Sequence, residues 1–258
     1  MFNWTPHGLP SIHHNHLIQK VAGQDYYTIG ANNIATDTYT AEEGPLDGIS
    51  GFGYDYGKFY VSKTFFDIAK RRRILWAWIN ESSSATDDLR KGWAGLQAIP
   101  RNVWLDKSGK QLMQWPISEL EKLRGKQVDV EISFQICDFE KAEVLKLDPN
   151  LTTPQLLCSQ NDASVKGALG AVGLLVLASN GLQECTAVFF RVFKADSKYI
   201  VLTCSDQSRF SLDDDIDKTT YGAFLDVDPV LKKLSLRSLI DRSIVESFWW
   251  RRQSLHHS

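Results

Sequence analysis

The stretch VDVEISFQI, residues 128–136, alternates apolar and polar side chains from Val128 to Phe134. Successive side chains of a strand point to opposite faces, so this alternation predicts a β-strand with one buried face. Three later stretches are similarly rich in aromatic and β-branched residues, namely TAVFFRVFKA (186–195), YIVLTCSD (199–206) and AFLDVD (223–228). Long antiparallel strands with one buried face predict a β-sandwich from about residue 126 onward.

The half of the chain before this point has shorter predicted strands, many Trp and Tyr residues and polar loops, which is typical of propeller blades. Between the halves, SELEKLRG (118–125) has Ser118 as a helix N-cap and Gly125 as a stop, and it predicts the only clear helix. We therefore expect an all-β protein with a partial propeller at 1–117, a linker helix at 118–125 and a partial sandwich at 126–258. The predicted strands are 25–31, 57–67, 72–81, 95–105, 110–115, 127–136, 172–178, 185–194, 199–205, 221–228 and 234–248.

Composition disfavours several classes of protein. Lys+Arg 29 against Asp+Glu 31 leaves a net charge of -2, too little positive charge for a nucleic-acid partner to be expected. The longest apolar stretch, residues 167–179, is too short to cross a bilayer, and the N-terminus lacks the features of a signal peptide. The four cysteines form no CxxC pair, so no metal site is expected. Sequons for N-glycosylation begin at Asn3, Asn80 and Asn150.

Several collinear stretches resemble the plant β-fructosidases of glycoside hydrolase family 32, the acid invertases and fructan exohydrolases. They include DYYTIG (25–30), YDYGKFYVSKTFFD (54–67), KGWAGLQAIPRNVWLD (91–106), TPQLLCSQNDAS (153–164) and LRSLIDRSIVESF (236–248). The resemblance implies a five-bladed β-propeller joined to a C-terminal β-sandwich, of which this chain would contain the last blades and an incomplete sandwich. It also implies hydrolysis of terminal β-fructofuranosyl linkages in fructan or sucrose, without a cofactor, by a secreted monomer of the apoplast or cell wall.

Such hydrolysis needs a carboxylate nucleophile and a carboxylic general acid/base. In the family these residues lie in WMNDPNG and WECPD motifs, with a stabilising Asp in an RDP motif, and all three motifs precede DYYTIG. Here DYYTIG begins at residue 25. The resemblance therefore implies no catalytic residue in this chain, truncation at both ends and no turnover by the chain alone. We interpret the ending FWWRRQSLHHS as the family's glycine-rich turn read out of frame.

Three carboxylates imitate the missing motifs. Asp148 precedes Pro-Asn, Asp228 precedes Pro and Glu184 precedes Cys, but each lacks the flanking residues of its motif. All three fall in the predicted sandwich, so we do not expect them to be catalytic.

Five residues are candidates for substrate binding. Asn33 follows YYTIG where family invertases usually carry an Asp that holds the glucosyl side of sucrose, although a turn role is an equal alternative. Asp55, Tyr56, Tyr60 and Trp78 combine a carboxylate with aromatic faces, which is what a sugar site requires. The alternative for Trp78, which shares a predicted strand face with Trp76, is a packed blade core. Glu81 is expected at the surface.

The resemblance also implies that Cys158 and Cys204 form a disulfide that closes a loop of 45 intervening residues. Cys137 and Cys185 are expected to be buried thiols. Two other functions remain open, a non-catalytic carbohydrate-binding or regulatory relative and the product of a pseudogene. The residues do not separate sucrose, inulin and levan as the substrate.

Overall fold

The computed structural model describes residues 11–15, 25–33, 35–41, 52–81, 83–107, 109, 111–122, 127–145, 153–195, 198–242 and 244–250. It divides into two compact units, within residues 1–123 and within residues 124–258. Both units are built from β-sheets, so the predicted all-β class is confirmed. No helix in these ranges is long and apolar enough to cross a membrane.

The first unit contains two antiparallel sheets. The first sheet has β1 (Ser11–Asn15), β2 (Tyr26–Asn33), β3 (Thr38–Ala41) and β4 (Phe52–Gly53), with β2 pairing all three others. The second sheet has β5 (Phe59–Asp67), β6 (Arg72–Ile79), β7 (Leu96–Gln97), β8 (Arg101–Leu105) and β9 (Leu112–Pro116). Its order is β5-β6-β8-β9, and β7 pairs with β6. One shared core, which includes Tyr27 and Ile29 from the first sheet and Leu75 and Ala77 from the second, packs the two sheets together.

The second unit is a β-sandwich. One sheet has β10 (Gln127–Phe134), β16 (Leu234–Asp241) and β17 (Ile244–Trp250). The other has β11 (Glu143–Val144), β12 (Val172–Val176), β13 (Thr186–Ala195), β14 (Lys198–Asp206) and β15 (Tyr221–Leu225). The inner faces of the two sheets meet in one core, where the rings of Phe134 and Phe190 lie 6.2 Å apart edge to face. Because β13 is buried on both faces, its sequence lacks the strict alternation of an amphipathic strand.

A short helix covers the other face of β13 and β14. This helix, Pro154–Gln160, is capped by Thr153, whose hydroxyl accepts a hydrogen bond from Leu156 N–H. It carries Cys158, which forms a disulfide with Cys204 of β14, with the Cα atoms 5.6 Å apart. Gly222 on β15 lies directly beneath, and an added Cβ there would overlap the Cys158 sulfur.

The prediction that 118–125 is the only clear helix is wrong. The chain there forms a 3-10 helix over Ser118–Lys122, in which Leu120 N–H bonds to the Ile117 carbonyl three residues back. A second 3-10 helix spans Phe139–Lys141. The two α-helices of the described residues are α1 (Ala85–Lys91) and α2 (Pro154–Gln160), which the sequence reading missed. Each is two turns long, too short for an apolar period to stand out.

Two further expectations are corrected. The stretch 234–248 is not one strand but a hairpin of β16 and β17, which turns near Arg242, where the backbone adopts a positive φ of 55°. The strand β17 also continues past Phe248 to Trp250. Cys137 is exposed, whereas Cys185 is buried as expected.

Candidate functional site

The candidate site lies in the first unit and includes an aromatic platform, formed by Tyr60 and Trp78. Tyr60 on β5 pairs across the sheet with Trp78 on β6, and their rings stack at 5.8 Å with an interplanar angle of 19°. Trp78 is 45% exposed. The neighbouring residues Leu75 and Ala77 point into the core, so Trp76 and Trp78 point outward. Neither tryptophan is part of the described core of the first unit.

A β-bulge in β5 directly follows Tyr60, one of the two residues of the platform. Tyr60 pairs with Trp78 but Lys63 pairs with Trp76, so β5 contains one extra residue at this point. Val61 takes a positive φ of 53°, an unusual conformation for a β-branched residue. Ser62, which is fully buried, donates its backbone N–H to Asp25 Oδ2 at 2.5 Å. Asp25 therefore fixes a strained bulge next to Tyr60.

Asp55 and Tyr56 occupy the loop between β4 and β5. Asp55 is partly exposed, and its Oδ2 lies 2.8 Å from the guanidinium of buried Arg101. Arg101 also donates to Gln114 Oε1 at 3.1 Å and lies 4.1 Å from the ring centre of Phe59. The buried arginine holds the Asp55 carboxylate in place while part of that side chain faces solvent. Sequence reasoning missed Arg101, because its partner lies 46 positions earlier in the chain.

The tyrosines around this loop are neutral hydrogen-bonding groups. Burial raises the pKa of Tyr56, a shift opposed by a hydrogen bond with the Gly53 backbone. Burial and the nearby Asp25 carboxylate raise the pKa of Tyr54, and burial likewise raises that of Tyr27. None of these phenols can serve as a base near neutral pH, so their role here is to pack and to hydrogen bond.

Asn33 lies at the end of β2, where it caps the hairpin to β3. Its Oδ1 accepts hydrogen bonds from the backbone N–H groups of Ala35 at 3.0 Å and Thr36 at 3.4 Å. This is the turn role that the sequence left open as an alternative. The structure thus stacks Tyr60 on Trp78 and holds Asp55 and Tyr56 together in one loop. Asn33 lies in a separate, exposed turn.

The carboxylates that imitate catalytic motifs hold loops in the second unit. Glu184 Oε1 accepts a hydrogen bond from Leu212 N–H at 2.9 Å, and Asp228 Oδ1 accepts one from Val230 N–H at 2.9 Å. Asp148 lies outside the described residues. Among the sequons, Asn80 is exposed, whereas Asn3 and Asn150 also lie outside the described residues.

The sequence matches the models of one protein family and several characterised proteins. The glycosyl hydrolases family 32 N-terminal domain matches residues 3–116, and the family's C-terminal domain matches residues 98–250. A fructan 6-exohydrolase of Beta vulgaris is 53% identical over 87% of this chain, which covers 40% of the relative. A cell-wall beta-fructofuranosidase of Pisum sativum is 52% identical over 87% of this chain, which covers 44% of that relative.

One solved structure provides the spatial match. Fructan 1-exohydrolase IIa from Cichorium intybus superposes with a TM-score of 0.85 and 43% sequence identity, over 93% of this chain and 48% of its own. A variant of the same enzyme in complex with 1-kestose superposes with a TM-score of 0.83. The chain therefore has the fold of propeller-and-sandwich enzymes and spans less than half the length of these relatives.

Proposed function

This chain belongs to glycosyl hydrolase family 32, and from that membership we propose that it acts in the hydrolysis of terminal β-fructofuranosyl linkages by binding the sugar. The relatives are named as fructan exohydrolases and beta-fructofuranosidases, and one structural neighbour holds 1-kestose. The expected ligands are therefore fructans or sucrose-type sugars.

The observation that carries this proposal is the exposed stack of Tyr60 on Trp78. Sugar rings present apolar C–H faces, and these faces pack on aromatic rings in water. Asp55 adds a fixed carboxylate that can accept hydrogen bonds from sugar hydroxyls. Tyr56 contributes a neutral phenol beside it. We include Asn33 as a more distant contact, since its local hydrogen bonds use the side-chain oxygen and leave the amide N–H groups to bond elsewhere.

We propose that residues 1–258 bind these sugars but do not cleave them alone. Cleavage with retention needs two carboxyl groups about 5 Å apart. Glu184 and Asp228, which imitate the catalytic motifs, each bond to a backbone amide within the second unit. A second function, non-catalytic carbohydrate binding, follows from the same platform, because stacking on Trp78 requires no catalytic group.

The first experiment measures binding and turnover together. Residues 1–258 are titrated with sucrose, 1-kestose, inulin and levan by calorimetry, and released fructose is assayed beside a full-length relative. We expect saturable binding of at least one sugar, no fructose release, and about two- to thirteenfold weaker binding for Trp78→Ala, since an aromatic contact contributes about 0.5–1.5 kcal/mol.

The matched control is Phe65→Ala, which removes another half-exposed aromatic ring from β5. Equal weakening by both variants would argue against a specific platform. Fructose release abolished by Glu184→Gln or Asp228→Asn would overturn the assignment of these residues to loops. Fructose release unaffected by either change would point to other carboxylates. Absence of binding to all four sugars would reject the binding proposal.

We further propose that the protein acts as a monomer in the cell wall and carries a glycan on Asn80. The proposal of this compartment follows from the cell-wall relative, and the exposed position of Asn80 makes it accessible to glycosylation. Peptide mapping of the protein from its source tissue would test the glycan, and sedimentation velocity would test the oligomeric state.

A further inference from the structure

Glu81 lies just beyond the end of β6 and contacts the loop that precedes β7. Its side chain is 12% exposed, so Glu81 is more covered than a surface residue was expected to be. Glu81 Oε1 accepts a hydrogen bond from the backbone N–H of Gly95 at 2.7 Å and another from Lys91 Nζ at 3.1 Å. Through these two hydrogen bonds, Glu81 links the loop between α1 and β7 to the end of β6.

Gly95 in turn lies against the indole of Trp78. A Cβ built on Gly95 would overlap three atoms of that indole, so only a glycine allows the backbone to approach so closely. Gly95 also has a φ of 72°, in the left-handed region that favours glycine. The Trp78 indole therefore contacts the Gly95 backbone while it stacks on Tyr60.

The helix α1 supplies the cation that completes this arrangement. Lys91 lies in its last turn, bonds to Glu81, and holds its Nζ 2.8 Å from Asp88 and 4.0 Å from the centre of the Trp93 ring. At the other end of α1, Ser84 and Asp87 form a reciprocal capping box that fixes the first turn. The carboxylate of Glu81 therefore has a positively charged partner on a defined element.

The protonation state of Glu81 agrees with this role. Burial alone would raise the pKa of Glu81, but the hydrogen bonds from Gly95 N–H and Lys91 outweigh it and lower that pKa. The side chain is therefore an ionised acceptor at neutral pH, and its hydrogen bonds are of the stronger, charge-assisted kind.

We propose that Glu81 is a positioning residue, which orients the Trp78 indole through Gly95 and thereby sets the affinity of the aromatic platform for sugars. The effect on affinity rests on the function proposed above, whereas the effect on the indole does not. Glu81 itself touches no sugar in this proposal. Loss of its carboxylate would release the Gly95 backbone and let the Trp78 ring leave its stack on Tyr60.

The experiment compares Glu81→Ala and Glu81→Gln with the wild-type chain of residues 1–258. The near-UV circular dichroism of Trp78, isolated by subtracting the spectrum of Trp78→Phe, reports the environment of the indole. Calorimetry with 1-kestose reports affinity. We expect Glu81→Ala to reduce the Trp78 signal and to weaken binding at least fivefold. Glu81→Gln should do less, because its amide oxygen can still accept the Gly95 hydrogen bond.

Glu119→Gln is the matched control, since Glu119 is also an ion-paired carboxylate of the first unit but bonds to Lys70 and Arg72. It should change neither the Trp78 signal nor the affinity. If Glu81→Ala does not fold, Glu81→Gln and Lys91→Met provide the same two measurements.

Two results would overturn the inference. A Trp78 signal in Glu81→Ala that equals the wild-type signal would show that Glu81 does not orient the indole. A reduced signal with unchanged 1-kestose affinity would show that the orientation does not set binding. If the wild-type chain binds no 1-kestose, the proposed function fails, and the Trp78 signal alone then decides whether Glu81 positions the ring.

Discussion

Removal of the Cys158–Cys204 disulfide should destabilise the second unit by about 4 kcal/mol. The crosslink spans a sequence separation of 46 and joins α2 to β14. On the chain-entropy relation, a loop of that length loses roughly 13 cal/mol/K in the unfolded chain, or about 4 kcal/mol at 25 °C. For a unit of this size, such a loss lowers the unfolding midpoint by roughly 10–15 °C.

The assay is calorimetric unfolding of the double variant Cys158→Ala/Cys204→Ala. Cys185→Ala is the matched control, because Cys185 is a buried cysteine without a crosslink and so measures the packing lost with one sulfur. Hydrogen exchange of the amides in α2 and β14 would show where the loss occurs. The free energy of unfolding lost in the double variant should exceed twice the loss in Cys185→Ala by several kcal/mol. An excess below about 1 kcal/mol, or a loss confined to the first unit, would refute the reasoning.

Three further predictions concern single residues. Arg191 is buried and donates to the carbonyls of Asn161, Asp162 and Val165, so Arg191→Met should destabilise the second unit by roughly 2–4 kcal/mol in guanidinium titrations. An effect no larger than that of exposed Arg90→Met would contradict it. Gly222→Ala should lower the thermal midpoint of the disulfide-bonded protein, since the added Cβ overlaps the Cys158 sulfur, and no shift would show that α2 can move away. Hydrogen bonds from Arg72 and Lys70 lower the pKa of Glu119, so its stabilising effect is complete above the unfolded pKa of about 4.5 and is lost as pH falls below it. Glu119→Gln should flatten the stability–pH curve below pH 5, and an unchanged curve would reject this assignment.

Local sequence was sufficient for most strands. The alternation at 128–136 appears as β10, and the runs beginning at Thr186 and Tyr199 appear within β13 and β14. The predicted strand 221–228 is shorter in the structure, where β15 ends at Leu225. Side-chain period and β-propensity act between near neighbours, so a single sequence reveals them. The disulfide partners were available only through the resemblance to a family, since the two cysteines lie on separate elements.

Short helices and turns were harder to predict from the sequence, because competing local signals determine where they form. The capping box of Ser84 and Asp87 is visible in the sequence, yet α1 buries none of its residues and shows no apolar period. At 118–122 the same kinds of signal produced a 3-10 helix. The sequence predicted one strand where β16 and β17 form a hairpin, because neither Asp241 nor Arg242 is a glycine that would mark the turn.

The candidate site depended on tertiary structure. Sequence alone selected Asp55, Tyr60 and Trp78 by residue type, but the bulge at Val61 decides that Tyr60 stacks on Trp78. The partners that hold these groups, Arg101 for Asp55 and Gly95 for Trp78, come from other strands and loops. Their contacts form only when the sheets are assembled, and no local pattern of side chains encodes a contact between residues so far apart in the chain.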